Sequence, residues 1–136
     1  MKCVSFKLNG QLFGFDIMKV IEVVKEYKIR TIPGVSPIIK GMMNLRGEII
    51  TVLDLKKRLN IKENPAPHND IIIIAQRGER FGLFIDEVME VVNFNDPDIE
   101  SENKNIFKIE EDFVLGLSKI NDFPIMILSV EKILDF

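Results

Sequence analysis

An internal repeat restricts the fold of this 136-residue chain more than any other feature of its sequence. Residues 13–24 match residues 81–92 at seven of twelve positions, and both segments begin with Phe-Gly. Further matches follow near the end of each copy at one constant spacing: Gly41 with Gly116, Ile50 with Ile125, and Leu53 with Leu128. The repeat predicts two copies of one structural unit, residues 3–59 and 69–134, joined by a connector at residues 60–68.

Each copy has the pattern of short β-strands. Apolar and polar side chains alternate over residues 4–8, and Asn9-Gly10 follows, a dipeptide typical of a tight hairpin. The apolar residues make up 46% of the chain and are mainly Ile, Val and Phe, which favour strands. We predict about five strands and one terminal helix in each copy, forming two small closed barrels that share a core because separate halves would be marginally stable.

The segment 41–55 predicts strand, turn, strand and the start of a helix. Asp54 and, in the second copy, Ser129 are helix-capping residue types, and we expect Lys56, Lys57 and Arg58 to form a solvated face.

Arg46 stands at the tip of this hairpin, just before Gly47, which permits a tight turn. The second copy has Asn121 and Asp122 at its corresponding turn, so the arginine is not a requirement of the repeated fold. Its five donors can hold a carboxylate bidentately, either within the fold or on a partner.

The sequence lacks the residues that most enzymatic and cofactor-binding sites need. Cys3 is the only cysteine and His68 the only histidine, and His68 lies in the Pro-rich connector, where a solvated linker residue is the simplest interpretation. No dinucleotide, phosphate-loop or zinc motif occurs. We predict a protein that is not an enzyme and binds no cofactor and no metal.

Charge and hydropathy exclude two further classes of partner. A net charge of -3 and a pI near 5.3 argue against nucleic acid, and no apolar run is long enough to span a bilayer. The single cysteine suits a reducing cytoplasm, and we expect any recruitment to a membrane to go through a partner. The acidic segment 95–112, with Asp96, Asp98, Glu100 and Glu102, predicts a charged solvent-exposed loop rather than a Ca²⁺ site.

Five methionines lie among β-branched neighbours, and we expect them to fill the core, with an adaptable binding surface as the alternative: Met18, Met42, Met43, Met89 and Met126.

The chain resembles the CheW-type chemotaxis coupling proteins over nearly its whole length. The resemblance is carried by residues 13–23, by residues 39–47 with the run Asn44-Leu45-Arg46-Gly47, by residues 52–55, and by residues 125–134. It implies an all-β fold with short helices, in which two five-stranded SH3-like β-barrels related by a pseudo-twofold axis pack on a shared hydrophobic core.

The resemblance also implies a function and a set of site residues. CheW-type proteins are non-enzymatic scaffolds that couple transmembrane chemoreceptors to the chemotaxis histidine kinase. The resemblance therefore implies a chemoreceptor cytoplasmic tip and the kinase regulatory domain as partners. By motif position, six residues are candidates for partner contacts or their support: Val20, Glu22, Gly41, Arg46, Ile72 and Val88. Because the resemblance places Glu22 and Arg46 near each other, we predict that they form an ion pair.

Alternative interpretations remain open at this stage. The same fold would serve a CheW-like regulatory domain of a larger kinase or a receiver-fused adaptor, although a start at Met1 and an end soon after the last helix favour the free adaptor. A small-barrel nucleic-acid-binding protein would need basic and aromatic surface residues that the charge balance does not supply.

Overall fold

The computed structural model describes residues 1–94 and 108–136. Within these residues the chain forms ten strands: β1 (Lys2–Leu8), β2 (Gln11–Asp16), β3 (Val20–Val24), β4 (Ile39–Leu45), β5 (Glu48–Asp54), β6 (Asp70–Gln76), β7 (Glu79–Ile85), β8 (Glu87–Asn93), β9 (Val114–Ile120) and β10 (Phe123–Leu128). One-turn helices α1 (Leu55–Arg58) and α2 (Val130–Ile133) follow β5 and β10. Short 3₁₀ turns at Ile17–Lys19 and Glu111–Phe113 precede β3 and β9. The predicted acidic loop falls largely on residues 95–107, which lie outside the described residues.

The strands form two five-stranded sheets, as predicted. Sheet 1 has the order β8-β1-β2-β10-β9 and sheet 2 the order β3-β6-β7-β5-β4. Each sheet therefore combines strands from both sequence copies. The prediction that residues 3–59 make one barrel and residues 69–134 the other is wrong in this respect, because the copies exchange their first two strands.

The two sheets interchange when one copy is replaced by the other. Substituting β6, β7, β8, β9 and β10 for β1, β2, β3, β4 and β5 converts the strand order of one sheet into that of the other. The register agrees as well, because Met126 pairs with Phe13 and Ile127 with Gly14, just as their counterparts Thr51 and Val52 pair with Phe81 and Gly82. Neither copy contains a complete sheet, and we therefore expect separate halves to be unstable.

A shared hydrophobic core joins the two sheets. Its fully buried members come from both sheets and include Phe6 and Phe13 of sheet 1 and Ile72 and Leu83 of sheet 2. Smaller clusters lie on the far face of each sheet. Strand β6 serves two clusters, because its alternate side chains point to opposite faces: Ile72 and Ile74 enter the shared core, and Ile71 and Ile73 the cluster within sheet 2.

The hairpin turns follow the sequence signals. Asn9 and Gly10 have φ of 54° and 79°, and Arg46 and Gly47 have φ of 50° and 88°. Two consecutive positive φ values are typical of a type I′ turn, whose twist matches that of the flanking strands. The turn at Arg46 is further held by the Asn44 side chain, which accepts a hydrogen bond from Gly47 N at 2.9 Å.

Both helices are capped as predicted. Asp54 Oδ1 accepts from Lys57 N at 3.2 Å, and Ser129 Oγ accepts from Lys132 N at 3.2 Å. The prediction that Lys56, Lys57 and Arg58 form a solvated face of α1 is wrong for Lys56 and Arg58. Lys56 is buried and lies 2.6 Å from Asp86 Oδ1, while Arg58 reaches across to α2. A one-turn helix has too few residues to reserve one face for solvent.

Candidate functional site

The predicted pair of Arg46 and Glu22 is present. The hairpin β4–β5 carries Arg46 to the side of β3, where Nη2 binds Glu22 Oε1 and Nη1 lies 3.4 Å from Oε2. Both guanidinium branches thus face one carboxylate, the geometry for which arginine is suited. The hydrogen bond to Glu22 and the charge of Glu22 raise the pKa of Arg46. The pair joins the two edge strands of sheet 2 at the surface.

Gly41 lies in β4 beside a β-bulge and is buried. A Cβ at this position would meet the Arg30 carbonyl oxygen and would lie 2.6 Å from Ile29 Cγ2. The close approach allows a two-way backbone bridge, in which Arg30 N donates to Met42 O at 2.8 Å and Met42 N donates to Arg30 O at 2.9 Å. Gly41 therefore acts by letting the segment before β4 pack against the strand.

Val20 and Val88 occupy equivalent positions in the two copies. Val20 begins β3 and Val88 lies in β8, and both are partly buried against the shared core. Strand β3 is an edge of sheet 2 and β8 an edge of sheet 1. Ile72 is fully buried in the same core, so it can support this surface but cannot touch a partner.

Asp70 of β6 connects sheet 2 to Val88 of sheet 1, and the sequence analysis did not predict this role. Its buried carboxylate accepts from Val88 N at 2.8 Å and from Lys25 Nζ at 3.1 Å, and it lies 3.0 Å from His68 Nε2. Burial alone would raise the pKa of Asp70, but the hydrogen bonds from Val88, Lys25 and His68 outweigh burial and lower it. The only sequence signal was an acidic residue opening an otherwise apolar strand.

His68 is more than a solvated connector residue. Its side chain is 60% exposed, yet Nε2 contacts Asp70. The connector is fixed at further points, because Lys56 Nζ donates to Asn64 O at 2.6 Å and Asn9 Nδ2 donates to Lys62 O at 2.8 Å. In the part of the chain that the structure describes, no cluster of three or more His, Cys, Asp or Glu residues could hold a metal ion.

Exposed apolar side chains mark the equivalent strands β3 and β8. Ile21 of β3 is 45% exposed, and Met89, which the repeat aligns with it, is 41% exposed. Among the methionines, Met43 and Met126 fill the core as predicted, whereas Met18 and Met42 are exposed like Met89. The core interpretation is therefore confirmed at Met43 and Met126 and is wrong at the three exposed positions, where a binding surface stays a prediction. No helix among the described residues is long and apolar enough to cross a membrane.

The two interchanged five-stranded sheets on a shared core define a mostly β protein with a pseudo-symmetric pair of sheets. A family model described as the CheW-like domain matches residues 2–136. This chain belongs to the CheW-like domain family.

Curated relatives and a solved structure agree with this assignment. The chain is 32% identical over 135 residues to the chemotaxis protein CheW of Bacillus subtilis, covering 98% of this chain and 86% of the relative. It is 29% identical over 135 residues to CheW of Treponema pallidum, covering 96% and 79%. The crystal structure of the scaffolding protein TtCheW from Thermoanaerobacter tengcongensis superposes with a TM-score of 0.86 at 36% identity, covering 99% of this chain and 92% of that one.

The family and the fold confirm the main sequence-based predictions. The chain is a CheW-type chemotaxis scaffold and not an enzyme, and it is mostly β with two five-stranded sheets. The Arg46–Glu22 pair is confirmed by its geometry. Partner contacts at the six predicted residues stay a prediction.

Proposed function

We propose that this chain couples transmembrane chemoreceptors to the chemotaxis histidine kinase by binding both. In this proposal the helical cytoplasmic tip of a receptor lies against β3 and β8, and the kinase regulatory domain joins the ends of the sheets. The observation that carries it is the matched exposure of Ile21 and Met89 on the equivalent edge strands β3 and β8, which Asp70 links through Lys25 and Val88 N.

A helical tip is a suitable occupant for this surface. An amphipathic helix presents an apolar stripe along one side, and two exposed apolar strands flanking a half-buried floor can receive it. Val20 and Val88 supply that floor, and Met89 adds a side chain that adapts its shape.

The other predicted residues would act on this surface through the backbone. The Arg46–Glu22 pair fixes the outer side of β3. Gly41 sets the position of β4, and Ile72 supports Val20 and Val88 from the shared core. Among the six predicted residues we therefore assign direct contact to Val20 and Val88, and support to Gly41, Ile72 and the Arg46–Glu22 pair.

Localisation would follow from binding. The proposal places the chain in the cytoplasm, recruited to receptor arrays through its partners, with no direct contact to lipid or nucleic acid.

Binding of the purified chain to each partner tests the proposal. We expect co-elution with a chemotaxis kinase regulatory domain and, in a separate run, with a receptor signalling tip. Ile21→Glu and Met89→Glu should each weaken receptor binding at least about tenfold, because each buries a charge in an apolar contact. Leu115→Glu is the matched control, since Leu115 is 46% exposed on β9, the opposite edge of sheet 1. Equal loss in all three variants, or co-elution with neither partner, would overturn the proposal.

A further inference from the structure

The two copies differ in what covers the end of their hairpin. In the first copy the connector folds back over the β1–β2 hairpin and α1. Ile61 packs against the shared core, Ile61 N donates to Lys56 O at 3.0 Å, and Asn9 Nδ2 donates to Lys62 O at 2.8 Å. An extended segment of this chain thus binds the corner between a hairpin and a one-turn helix.

The corresponding corner of the second copy is, among the described residues, an open cavity of about 350 Å³. It lies between the β6–β7 hairpin and α2, lined by Gln76, Arg77, Glu79, Phe81, Leu134 and Asp135 among others. In the repeat Arg77 corresponds to Asn9, Phe81 to Phe13 and Leu134 to Leu59. The cavity therefore occupies, in the second copy, the position that the connector fills in the first copy.

The equivalent apolar side chains of the two corners differ in how deeply they are buried. Phe13 and Leu59 are 0% and 2% exposed. Their counterparts Phe81 and Leu134 pack against the same core but are only partly buried. Among the described residues, the second corner leaves accessible the apolar floor that is covered in the first corner, and an exposed apolar floor of this kind can receive an aliphatic side chain.

We propose that this cavity binds an extended peptide segment of a partner protein, in the manner of residues 61–64 in the first corner. An aliphatic side chain covers Phe81 and Leu134, and the peptide carbonyl that follows accepts from the Arg77 guanidinium. The proposal is independent of the receptor surface above, because it concerns the opposite end of β6 from Asp70.

The charges at the rim specify the segment further. Arg77 and Lys132 make no ion pair within the described residues, and neither do Glu79 and Asp135. Glu131 is already engaged, since Lys19 Nζ lies 2.8 Å from its Oε1. A rim with free charges of both signs is complementary to a segment that carries both signs after the aliphatic residue, as Ile61-Lys62-Glu63 does.

A peptide with the sequence of residues 60–66 and blocked termini is the probe, added to the full chain and followed by backbone amide NMR. We expect saturable shifts confined to residues 76–81 and 131–135. A peptide with aspartate in place of its isoleucine is the matched control and should bind at least about tenfold more weakly, because the floor is apolar. Absent shifts, shifts at the first corner only, or equal binding of both peptides would overturn the proposal.

Two variants of Arg77 distinguish loss of the hydrogen bond to the peptide carbonyl from disturbance of the β6–β7 turn. Arg77 has φ of 52°, a conformation that asparagine and aspartate tolerate. Arg77→Asp removes every donor and should weaken the peptide at least about fivefold, whereas Arg77→Asn keeps a donor, as Asn9 does in the first corner, and should bind more tightly than Arg77→Asp. Equal affinity of the two variants would contradict the assigned hydrogen bond.

Discussion

The buried carboxylate of Asp70 in sheet 2 accepts a 2.8 Å hydrogen bond from the backbone N–H of Val88 in sheet 1. One side chain thereby ties β6 to β8, and it also holds Lys25 just beyond the end of β3. The proposed receptor surface depends on the relative position of β3 and β8. Asp70 is therefore the residue through which the fold fixes that surface.

Removing the Asp70 carboxylate should destabilise the chain. Asp70→Ala leaves Val88 N–H without its acceptor in a buried place, and we expect the free energy of unfolding to fall by about 1–3 kcal/mol. Asp70→Asn keeps an acceptor and should cost less. Urea unfolding followed by far-ultraviolet circular dichroism measures both. Equal stability of Asp70→Ala and the unchanged chain would show that Val88 finds another acceptor.

The contribution of Asp70 should depend on pH. Its hydrogen bonds hold the pKa in the folded chain below the ordinary value of 3.8, so the folded state binds fewer protons than the unfolded state. The stabilisation is complete above that ordinary value and is lost as the pH falls through the lowered pKa. The stability difference between the unchanged chain and Asp70→Asn, measured from pH 7 to about pH 2.5, should narrow in acid. A difference that widens in acid would contradict the direction of the shift.

Gly41→Ala should be more harmful than substitution of a turn glycine. The added Cβ would meet the Arg30 carbonyl and Ile29, so the Arg30–Met42 bridge must move, at a cost of about 1–3 kcal/mol. Gly47→Asn is the control, because nothing lies within 4 Å of its Cβ position and asparagine tolerates the positive φ. The two midpoints of urea unfolding decide the matter, and a Gly41→Ala midpoint at or above that of Gly47→Asn would refute the steric argument.

Arg58 should be required to hold α2 in place. Its guanidinium donates to the carbonyls of Ile133 at 2.7 Å and of Lys132 and Asp135 at 2.8 Å. Arg58→Ala should lower the free energy of unfolding by about 1.5–3 kcal/mol, and Arg58→Lys should restore little of it, because an ammonium cannot reproduce the fork. Lys57→Ala, at an exposed neighbouring position, is the control. If Arg58→Lys had the same free energy of unfolding as the unchanged chain, the positive charge alone, and not the guanidinium fork, would hold α2.

Exchanging the charges of Arg46 and Glu22 should show whether Arg46 acts through its ion pair with Glu22 or by direct contact with the receptor tip. Arg46→Glu brings three carboxylates together, since Glu22 and Glu48 both act on this position, and should weaken binding of a receptor tip. If the pair acts by fixing β3, the double variant Arg46→Glu with Glu22→Arg should bind more tightly than either single variant. A double variant as weak as the worse single one would assign Arg46 to the partner instead.

Local signals in the sequence predicted much of the chain. The Asn9-Gly10 and Arg46-Gly47 turns and the caps Asp54 and Ser129 follow from short-range backbone chemistry, and the repeat indicated ten strands in two equivalent sets. The Arg46–Glu22 pair was predicted through the family resemblance, because the two residues lie far apart in the chain. Asp70 was not predicted, since an acidic residue at a strand start is usually solvated.

The sequence by itself determined the strands, their turns and the existence of two equivalent units, because periodicity and turn chemistry act over a few residues. Only the tertiary structure decided which strands pair. The repeat makes β1–β2 and β6–β7 interchangeable in pattern, so either could complete either sheet, and the exchange is selected by packing across the shared core. The same packing buries Lys56 and Asp70 and leaves the second corner open, and none of these follows from neighbours along the chain.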